Sequence, residues 1–335
     1  MRSKTNRAER LCQVLAALAA IWAIVAVFRL WRGPAPLDVA EQAIAEGQWE
    51  TAVECYLIHL VDHPDDWGAR LELSVPLTEI DPKQALVELR KIPPDTDEYL
   101  QANRQIAGIC IACERFKEAK EALLALEAAT PDDWWVHVSL AEAFLREGKL
   151  ILALHHAQRG AQLNPAHTRT HFLVAEVLDD LNRHVEMIPP LQEVIALEPE
   201  HYGAHLNLCY AYAKAGQAGN TRREAEWCLA RNPAEVDALR LLATAARDEG
   251  KRDEAMEKIQ KALKLSPDDL NSRLLEAELL LFDRKADEAF GRLQPLYDRH
   301  KNDRRLAALL ARSATAAGQL EEAKKYREQV QKLSQ

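Results

Sequence analysis

Residues 233–267 read PAEVDALRLLATAARDEGKRDEAMEKIQKALKLSP, a stretch that begins and ends with proline. The same 34-residue spacing is kept by five prolines: Pro131, Pro165, Pro199, Pro233 and Pro267. A fixed period of this length is typical of a helical solenoid, in which each repeat packs mainly against its neighbours. The spacing therefore predicts an all-α fold built from one repeated unit.

Each periodic proline is preceded by a small residue and, in several copies, by a glycine. In the quoted stretch Ala255 lies twelve positions before Pro267, and Gly250 lies five positions before Ala255. We interpret this pattern as two antiparallel helices joined by a glycine-containing turn, with alanine where the helices approach most closely. Proline then ends the second helix, because it lacks an N–H group and restricts the residue before it.

This pattern resembles the tetratricopeptide repeat family over nearly everything after residue 33. The small residue of position 8 is matched by Ala107, Ala141, Ala175, Cys209, Ala243, Ala277 and Ala311. Position 20 is matched by Ala52, Ala119, Ala153, Ala255, Ala289 and Ala323. The resemblance implies a right-handed superhelical solenoid (residues 32–335) of about nine helix-turn-helix units. Their expected bounds are near 33–66, 67–99, 100–133, 134–167, 168–201, 202–235, 236–269, 270–303 and 304–335.

Two units depart from the regular pattern. In the second, Pro82 opens the second helix and Ile92-Pro93-Pro94 ends it early. In the fifth, Met187 occupies position 20 and Pro189-Pro190 lies inside the expected second helix. Because proline is tolerated only in the first turn of a helix, the pair predicts that this helix starts several residues late.

The amino-terminal segment from Leu11 to Phe28 is apolar except for Gln13. As a helix its 18 residues span about 27 Å, close to the hydrocarbon thickness of a bilayer. We predict a transmembrane signal-anchor helix over residues 11–31, with Trp31 at the interface. A cleaved signal peptide and a buried first helix of the solenoid are the alternatives.

Basic residues near the span predict its orientation. Four of them lie in the tail 1–10 and two, Arg29 and Arg32, follow the span. The tail is therefore expected in the cytoplasm, which makes the chain a single-pass inner membrane protein with a periplasmic solenoid. A solenoid that remains in the cytoplasm is the alternative. The lipid bilayer is thus one expected partner.

The charge of the chain argues against nucleic-acid binding. Residues beyond 32 include 37 basic and 51 acidic side chains, a formal charge of −14 against −9 for the whole chain. Binding to phosphate needs a basic stripe that displaces counterions, and the sequence has none. We expect no nucleic-acid partner.

The sequence carries no pattern typical of an enzyme and none that requires a cofactor. Cys110 and Cys113 form a CxxC pair, but they lie in the second half of a first helix, where the helix dipole does not favour thiolate. We interpret both as small residues packed between helices.

Histidine pairs spaced four residues apart offer a second kind of site: His167, His171, His201 and His205. Such a pair on one helix can bind a metal, but two of these residues fall at repeat junctions, and packing is the simpler account. The alternative function is therefore a metal- or redox-responsive sensor that uses the histidine pairs or the CxxC pair.

The resemblance also implies a partner-binding groove, because first helices line the concave face in this family. By that register the groove residues are Trp135, Glu142, Arg146, Phe172, Glu176, Asp179, Asp180, Tyr210, Lys214, Arg240 and Arg247. Aromatic and arginine side chains carry much of the energy of protein interfaces, so we expect protein or peptide partners rather than small molecules. The lysine and asparagine of the family's carboxylate clamp are absent.

These features predict a membrane-anchored scaffold that binds a peptide or helix in its groove, in bacterial envelope assembly. The layout is similar to that of anchored tetratricopeptide repeat proteins of lipopolysaccharide assembly, although their paired CxxC module is missing.

Overall fold

The structure, a computed structural model, describes residues 35–334. Its regular elements there are eighteen α-helices and two short 3-10 turns, and this described part contains no strand. The predicted basic tail 1–10 and the predicted anchor 11–31 lie outside the described residues. Within 35–334, every helix falls short of the length or the hydropathy that a bilayer span requires.

The chain divides into two compact units, of which the first ends at Glu147. Its helices are α1 Pro36–Ala45, α2 Trp49–Asp62, α3 Trp67–Ile80, α4 Pro82–Leu89, α5 Tyr99–Ala112, α6 Phe116–Ala129 and α7 Trp134–Arg146. Consecutive helices pack against each other, and α3 also contacts α5. Its core includes Tyr56, Leu73, Leu86, Leu123 and Leu140, each less than 3% exposed.

The second unit starts at Gly148. Its first helices are α8 Leu150–Leu163, α9 Thr168–Asp180, α10 Ile188–Leu197, α11 Tyr202–Lys214, α12 Ala218–Arg231 and α13 Val236–Asp248. The chain continues with α14 Arg252–Leu265, α15 Leu270–Phe282, α16 Ala286–Leu293, α17 Arg304–Ala316 and α18 Leu320–Lys332. Besides packing against its chain neighbours, α13 contacts α11 and α15, and α15 contacts α17. These four helices therefore lie side by side in one layer.

Small residues allow the close helix contacts that the sequence pattern predicts. In the second unit Ala243 of α13 and Ala255 of α14 are completely buried and belong to one core cluster with Ile259. Helix packing of this kind depends on interdigitated side chains at crystal-like density. The alanine positions are therefore the places where one helix of a hairpin lies closest to the other.

The carbonyl groups of the periodic prolines have recurring partners. His137, His171 and His205, one in each of three successive repeats, direct Nε2 at the carbonyl oxygen of Pro131, Pro165 and Pro199, at 2.8, 2.9 and 3.0 Å. Since a carbonyl oxygen can only accept, Nε2–H donates in each case. Arg70 and Arg273 make the same contact with Pro64 and Pro267. The donor satisfies a carbonyl of the turn between repeats, just beyond the end of the preceding helix.

The two proline-rich departures appear as altered second helices. Pro82 begins α4, and that helix ends at Leu89 before the Ile92-Pro93-Pro94 run. In the later unit a 3-10 turn, His184–Met187, precedes α10, which begins only at Ile188. The proline pair therefore lies in the first turn of α10, where a missing N–H costs little.

The turns between paired helices use the left-handed region of backbone space. Four of the turns have a glycine with φ between 68° and 78° directly before the N-cap residue of the second helix: Gly148, Gly216, Gly250 and Gly318. At equivalent positions Glu114, Asn182 and Arg284 adopt φ of 57°, 56° and 64°. A side chain with Cβ is strained there, more so when it is neither asparagine nor aspartate.

Arg284→Gly is expected to stabilise the protein by about 0.5–1 kcal/mol, because glycine relieves the strain of the left-handed conformation while adding some unfolded-state entropy. Urea unfolding of the two proteins measures the difference. Arg312→Gly, at an exposed helical position, is the matched control and should destabilise by about 0.5–1 kcal/mol. A loss of stability in Arg284→Gly would contradict the expected strain.

Arg222 of α12 connects its hairpin to the next one. It hydrogen-bonds Glu249 at 2.7 Å and Glu254 at 2.6 Å. The hydrogen bond from Arg222, assisted by Lys251, lowers the pKa of Glu249 to about 2. The hydrogen bond from Arg222 also lowers the pKa of Glu254. A carboxyl whose pKa is lowered in the folded state contributes stability at any pH above its ordinary, unfolded-state pKa. This stability is lost as the pH falls towards the folded-state pKa.

We therefore expect acid to destabilise the wild type more steeply than Arg222→Gln between about pH 4.5 and about pH 2. Urea unfolding across this pH range measures both slopes. Arg312→Gln, which removes an exposed charge elsewhere in the same unit, should keep the wild-type slope. Equal slopes for wild type and Arg222→Gln would show that the Arg222 cluster does not govern acid stability.

Candidate partner-binding surface

One opening in the second unit is a cleft on the exposed side of α11, α13, α15 and α17. It has two overlapping lobes of about 400 Å³ each. Its polar and charged lining residues are Tyr210, Lys214, Arg240, Thr244, Arg247, Asn271, Glu278 and Arg305. Leu274, Leu275 and Leu309 form part of its floor. Four helices thus contribute to one continuous surface, which we call the basic cleft.

Four cationic side chains line the basic cleft. Arg240 pairs with Asp237 at 2.6 Å, and Arg305 pairs with Asp303 at 3.1 Å. Arg247 contacts Glu278 across the cleft at 2.7 Å. The Lys214 ammonium lies 5.2 Å from the centre of the Tyr210 ring, which is cation–π distance.

The predicted residues of α9 lie on the far side of the 3-10 turn His184–Met187, which packs against both α9 and α11. Phe172 contacts the ring of His201 at 4.9 Å, and Glu176 accepts a hydrogen bond from Arg169 at 2.8 Å. Asp179 and Asp180 are exposed. This end of the surface therefore carries acidic side chains, in contrast to the basic cleft.

His184 of the 3-10 turn lies between these two ends. Its Nδ1 is 3.2 Å from a carboxylate oxygen of Asp179, and its ring meets the Tyr210 ring edge-on at 5.3 Å. The turn packs against both α9 and α11. The late start of α10 thus places a side chain in the first-helix layer that a regular repeat would not place there.

In the first unit the predicted residues lie on α7. The Arg104 guanidinium stacks 4.5 Å from the Trp135 ring centre and pairs with Asp133. Arg146 lies 5.7 Å from the Phe116 ring. Glu142 is half-buried. Trp135 and Arg146 are therefore held by neighbours within their own unit.

The structure gathers Tyr210, Lys214, Arg240 and Arg247 around one cleft. It also adds Asn271 and Arg305, which sequence reasoning did not include. Both occupy position 2 of their repeats, the same position as the predicted groove residue Trp135. Extending the same register to the last two units would have found them.

The histidine pairs straddle helix starts. His201 precedes α11, and its Nδ1 accepts a hydrogen bond from the Ala204 N–H at 3.1 Å, so it caps that helix. His167 takes the same place before α9. His205 is buried, with Nδ1 2.7 Å from Glu224 and its ring stacked on Trp227 at 3.5 Å. His171 directs Nε2 at a carbonyl oxygen. Three of these four histidines therefore have structural hydrogen bonds through a nitrogen that a metal would need.

The two cysteines of the CxxC pair differ in their exposure to solvent. Cys110 is completely buried, and burial raises the pKa of its thiol. Cys113 is exposed at the carboxyl end of α5. The expectation that both cysteines pack between helices is therefore wrong for Cys113, because the helix ends at Ala112 and turns this residue outward.

Thiol alkylation of the native protein should modify Cys113 and spare Cys110, Cys209 and Cys228. Burial raises the pKa of all three protected thiols, that of Cys228 to about 11. Both the access of the reagent to the sulfur and the fraction of reactive thiolate are therefore low. Peptide mapping by mass spectrometry after maleimide treatment measures this, with urea-unfolded protein as the control in which all react. Rapid native labelling of Cys110 would contradict the packing of α5.

Comparison with known proteins bears on the same residues. A family model for the tetratricopeptide repeat matches residues 210–269, which include half of the residues that line the basic cleft. No curated protein matches the chain. The crystal structure of YrrB, described as a TPR protein with an unusual peptide-binding site, is similar with 14% identity and a TM-score of 0.50. That likeness covers 57% of this chain and 95% of YrrB.

Two further solved structures are similar at lower scores. PilW, described as a widely conserved type IV pilus biogenesis factor, has 18% identity and a TM-score of 0.49, over 64% of this chain and 100% of PilW. MamA from Desulfovibrio magneticus RS-1 has 18% identity and a TM-score of 0.45, over 49% of this chain and 93% of that one. At 14% identity, the likeness to YrrB shows only a similar fold. Residues 210–269 thus match the tetratricopeptide repeat family, and the likeness to YrrB shows a shared helical fold over 57% of the chain.

Proposed function

We propose that this protein is a scaffold that binds a peptide or helix of partner proteins on the exposed side of its first helices. The observation that carries the proposal is the basic cleft, a polar opening built by four helices of one layer. Nothing in the helix packing requires so many charged side chains to converge there. A surface of this kind fits an extended partner segment better than a small molecule, which prefers an enclosed apolar pocket.

Aromatic side chains supply anchors along the surface. Phe172 and Tyr210 are half-buried in the second unit, and Trp135 is half-buried in the first. Such residues bury large areas at low entropic cost when a partner covers them. We expect each to contribute to binding through contact with apolar groups of the partner. YrrB, which has a peptide-binding site on a similar fold, is consistent with this kind of use.

The finer part of the proposal is the location. The apolar segment 11–31 and the basic residues around it support a single-pass inner membrane anchor with the repeats in the periplasm. A scaffold held at that surface is suited to gathering envelope proteins, so we propose a role in bacterial envelope assembly. An alkaline phosphatase fusion after Gln335 tests the orientation: activity is expected, and an inactive fusion that is made in full would refute export.

Partner capture from native membranes tests the binding surface. The full chain is crosslinked in cells, purified, and its captured proteins are identified for wild type and for Tyr210→Ala with Phe172→Ala. We expect the double variant to lose the proteins that wild type retains. Gln260→Ala, an exposed change on α14 of the second-helix layer, is the matched control and should retain them. Unchanged capture by the double variant would overturn the assignment of this surface.

A further inference from the structure

The outer face of α2 carries three large apolar side chains that are exposed to solvent. Leu57 is 45% exposed, Ile58 is 59% exposed and Val61 is 80% exposed. Because residues three and four apart lie on one face of a helix, the three side chains form one surface, which we call the apolar patch. Apolar side chains that are exposed together indicate a contact surface, whereas single exposed ones are ordinary.

The apolar patch is a property of the first hairpin and not of the repeat. Its residues lie five, six and nine positions after Ala52, the small residue of α2. On later second helices the same places are polar: Gln158, Arg159 and Gln162 of α8, and Gln260, Lys261 and Lys264 of α14. Packing of the repeats therefore does not require apolar side chains there, and their presence on α2 needs a separate cause.

The apolar patch lies at the end of the first hairpin where the chain enters it. α1 ends at Ala45 and α2 begins at Trp49, and the two helices pack against each other as an antiparallel pair. Pro36 lies nine residues before Ala45, and Ile58 lies nine residues after Trp49. At 1.5 Å per residue both lie about 14 Å from the turn, so the start of α1 is level with the apolar patch.

The chain between the proposed anchor and α1 is short. The proposed span ends at residue 31, and α1 begins at Pro36. Five residues of fully extended chain reach at most about 18 Å. The headgroup layer on each side of a bilayer extends about 5–7 Å beyond the hydrocarbon core. In the proposed topology the start of α1, and with it the apolar patch, is therefore kept close to the membrane surface.

The outer face of α2 changes from acidic to apolar towards that end. Glu50 and Glu54 are exposed on the same face, nearer the turn. Asp62 and Asp65 are exposed close to the apolar patch, so attraction to anionic headgroups does not explain it. The chemistry instead suits insertion of apolar side chains between neutral headgroups, with the carboxylates left in the aqueous layer.

Trp67 supports the same placement. It begins α3 after a loop of four residues that follows α2, so it lies at the same end as the apolar patch. Its ring is partly exposed and lies 5.5 Å from the Arg70 guanidinium. Tryptophan is enriched at membrane–water interfaces because its ring is apolar while its N–H group is polar.

We infer that the apolar patch inserts into the surface of the bilayer that holds the anchor, so that α2 forms a second attachment to the membrane. This attachment rests on the anchor of the proposed function and adds a contact that the anchor does not provide. The tether keeps the apolar patch at a high effective concentration near the lipid, so a contact of three side chains is sufficient. Because the apolar patch lies on a second helix, the first-helix surface is left to partner proteins.

Photo-crosslinking of the full chain in phosphatidylcholine vesicles tests this attachment. p-Benzoylphenylalanine replaces Leu57 in one protein and Leu124 of α6 in another. Both leucines lie five positions after the small residue of their helix, Ala52 or Ala119, and they are 45% and 44% exposed. We expect the yield of lipid adduct, measured by mass spectrometry, to be at least ~10-fold higher at position 57 than at position 124.

Polar substitutions in the apolar patch give an independent readout. With the photoreactive residue at position 61, Leu57→Gln with Ile58→Gln should lower the yield of lipid adduct by at least ~10-fold, because an amide is costly to transfer out of water. Leu124→Gln makes the same change outside the apolar patch and should leave the yield unchanged. All the substituted side chains are exposed, and circular dichroism melting verifies that each variant is folded.

The possible results distinguish this attachment from the proposed function. Equal lipid adducts at positions 57 and 124, or a yield at position 61 that Leu57→Gln with Ile58→Gln does not lower, overturn membrane contact by the apolar patch. A chain-to-chain adduct at position 57 in place of the lipid adduct assigns the apolar patch to a second copy and also overturns it.

Alkaline carbonate extraction of cell membranes tests the anchor separately. If the chain resists extraction while position 57 gives no lipid adduct, the anchor of the proposed function stands and only the second attachment fails. If carbonate releases the chain, the anchor fails and the second attachment fails with it.

Discussion

Glu88→Ala is expected to lower the free energy of unfolding by about 3–5 kcal/mol, because it leaves the Arg70 guanidinium charged and without its counter-ion in a buried site. The Glu88 side chain is 4% exposed and that of Arg70 is 11% exposed, with 2.5 Å between Oε2 and Nη1. Lys91 and Gln84 also donate to Glu88, at 2.7 and 3.1 Å. Nε of Arg70 already lacks a partner in the described part of the chain. The site therefore depends on this one carboxylate.

Urea unfolding, combined with hydrogen exchange of α3 and α4, measures the effect where it should be greatest. The double variant Arg70→Met with Glu88→Leu is the control, since removing both charges avoids a buried unpaired ion and should cost far less. Glu72→Ala, on the same helix as Arg70 but exposed, should change stability by less than about 0.5 kcal/mol. If Glu88→Ala were as mild as Glu72→Ala, the pair would not be essential to the first unit.

Tyr326→Ala is expected to destabilise the terminal hairpin by about 3–5 kcal/mol, because it removes a large aromatic side chain from a packed core. Tyr326 of α18 is 1% exposed. Its ring contacts those of Tyr297 at 4.9 Å and Phe290 at 6.1 Å. In a repeat array each helix is stabilised by its neighbours, and α18 packs mainly on α17. The loss should therefore appear first as opening of α18.

Hydrogen exchange of α17 and α18 measures this opening. Tyr326→Phe keeps the ring and should exchange nearly as slowly as wild type. Arg327→Ala changes the next residue, which is exposed and, within residues 35–334, hydrogen-bonds only the Thr315 hydroxyl, so it should have a small effect. Unchanged protection of α18 in Tyr326→Ala would show that the terminal hairpin does not depend on this aromatic cluster.

The helical pattern was predictable from the sequence because it rests on local chemistry. The proline spacing and the small residues at the helix crossings indicated where helices end and meet, and the structure places Ala243 and Ala255 in the core accordingly. The late start of α10 followed from Pro189-Pro190 for the same reason. Such features depend on backbone geometry within a few residues of the proline or alanine.

Other features depend on neighbours that are distant in sequence. The left-handed turn at Arg284 carries no glycine, so only the structure reveals it. The outward position of Cys113 depends on where α5 ends. The role of His171 and His205 as donors to proline carbonyls requires the preceding repeat to be in place. The basic cleft likewise combines α11 and α17, whose amino ends are 102 residues apart, so its set of charged side chains was not visible in any one repeat.

The central claim is that partner proteins bind the exposed side of the first helices. Its most direct test is site-specific photo-crosslinking of the full chain in native membranes, with p-benzoylphenylalanine at Ala308 in the basic cleft or at Gln260 on α14. Both positions are exposed, and they differ in the helix layer on which they lie. We predict a partner adduct from position 308 that is lost on Tyr210→Ala, and none above background from position 260. Equal adducts from both positions, or an adduct from position 260 alone, would contradict the account.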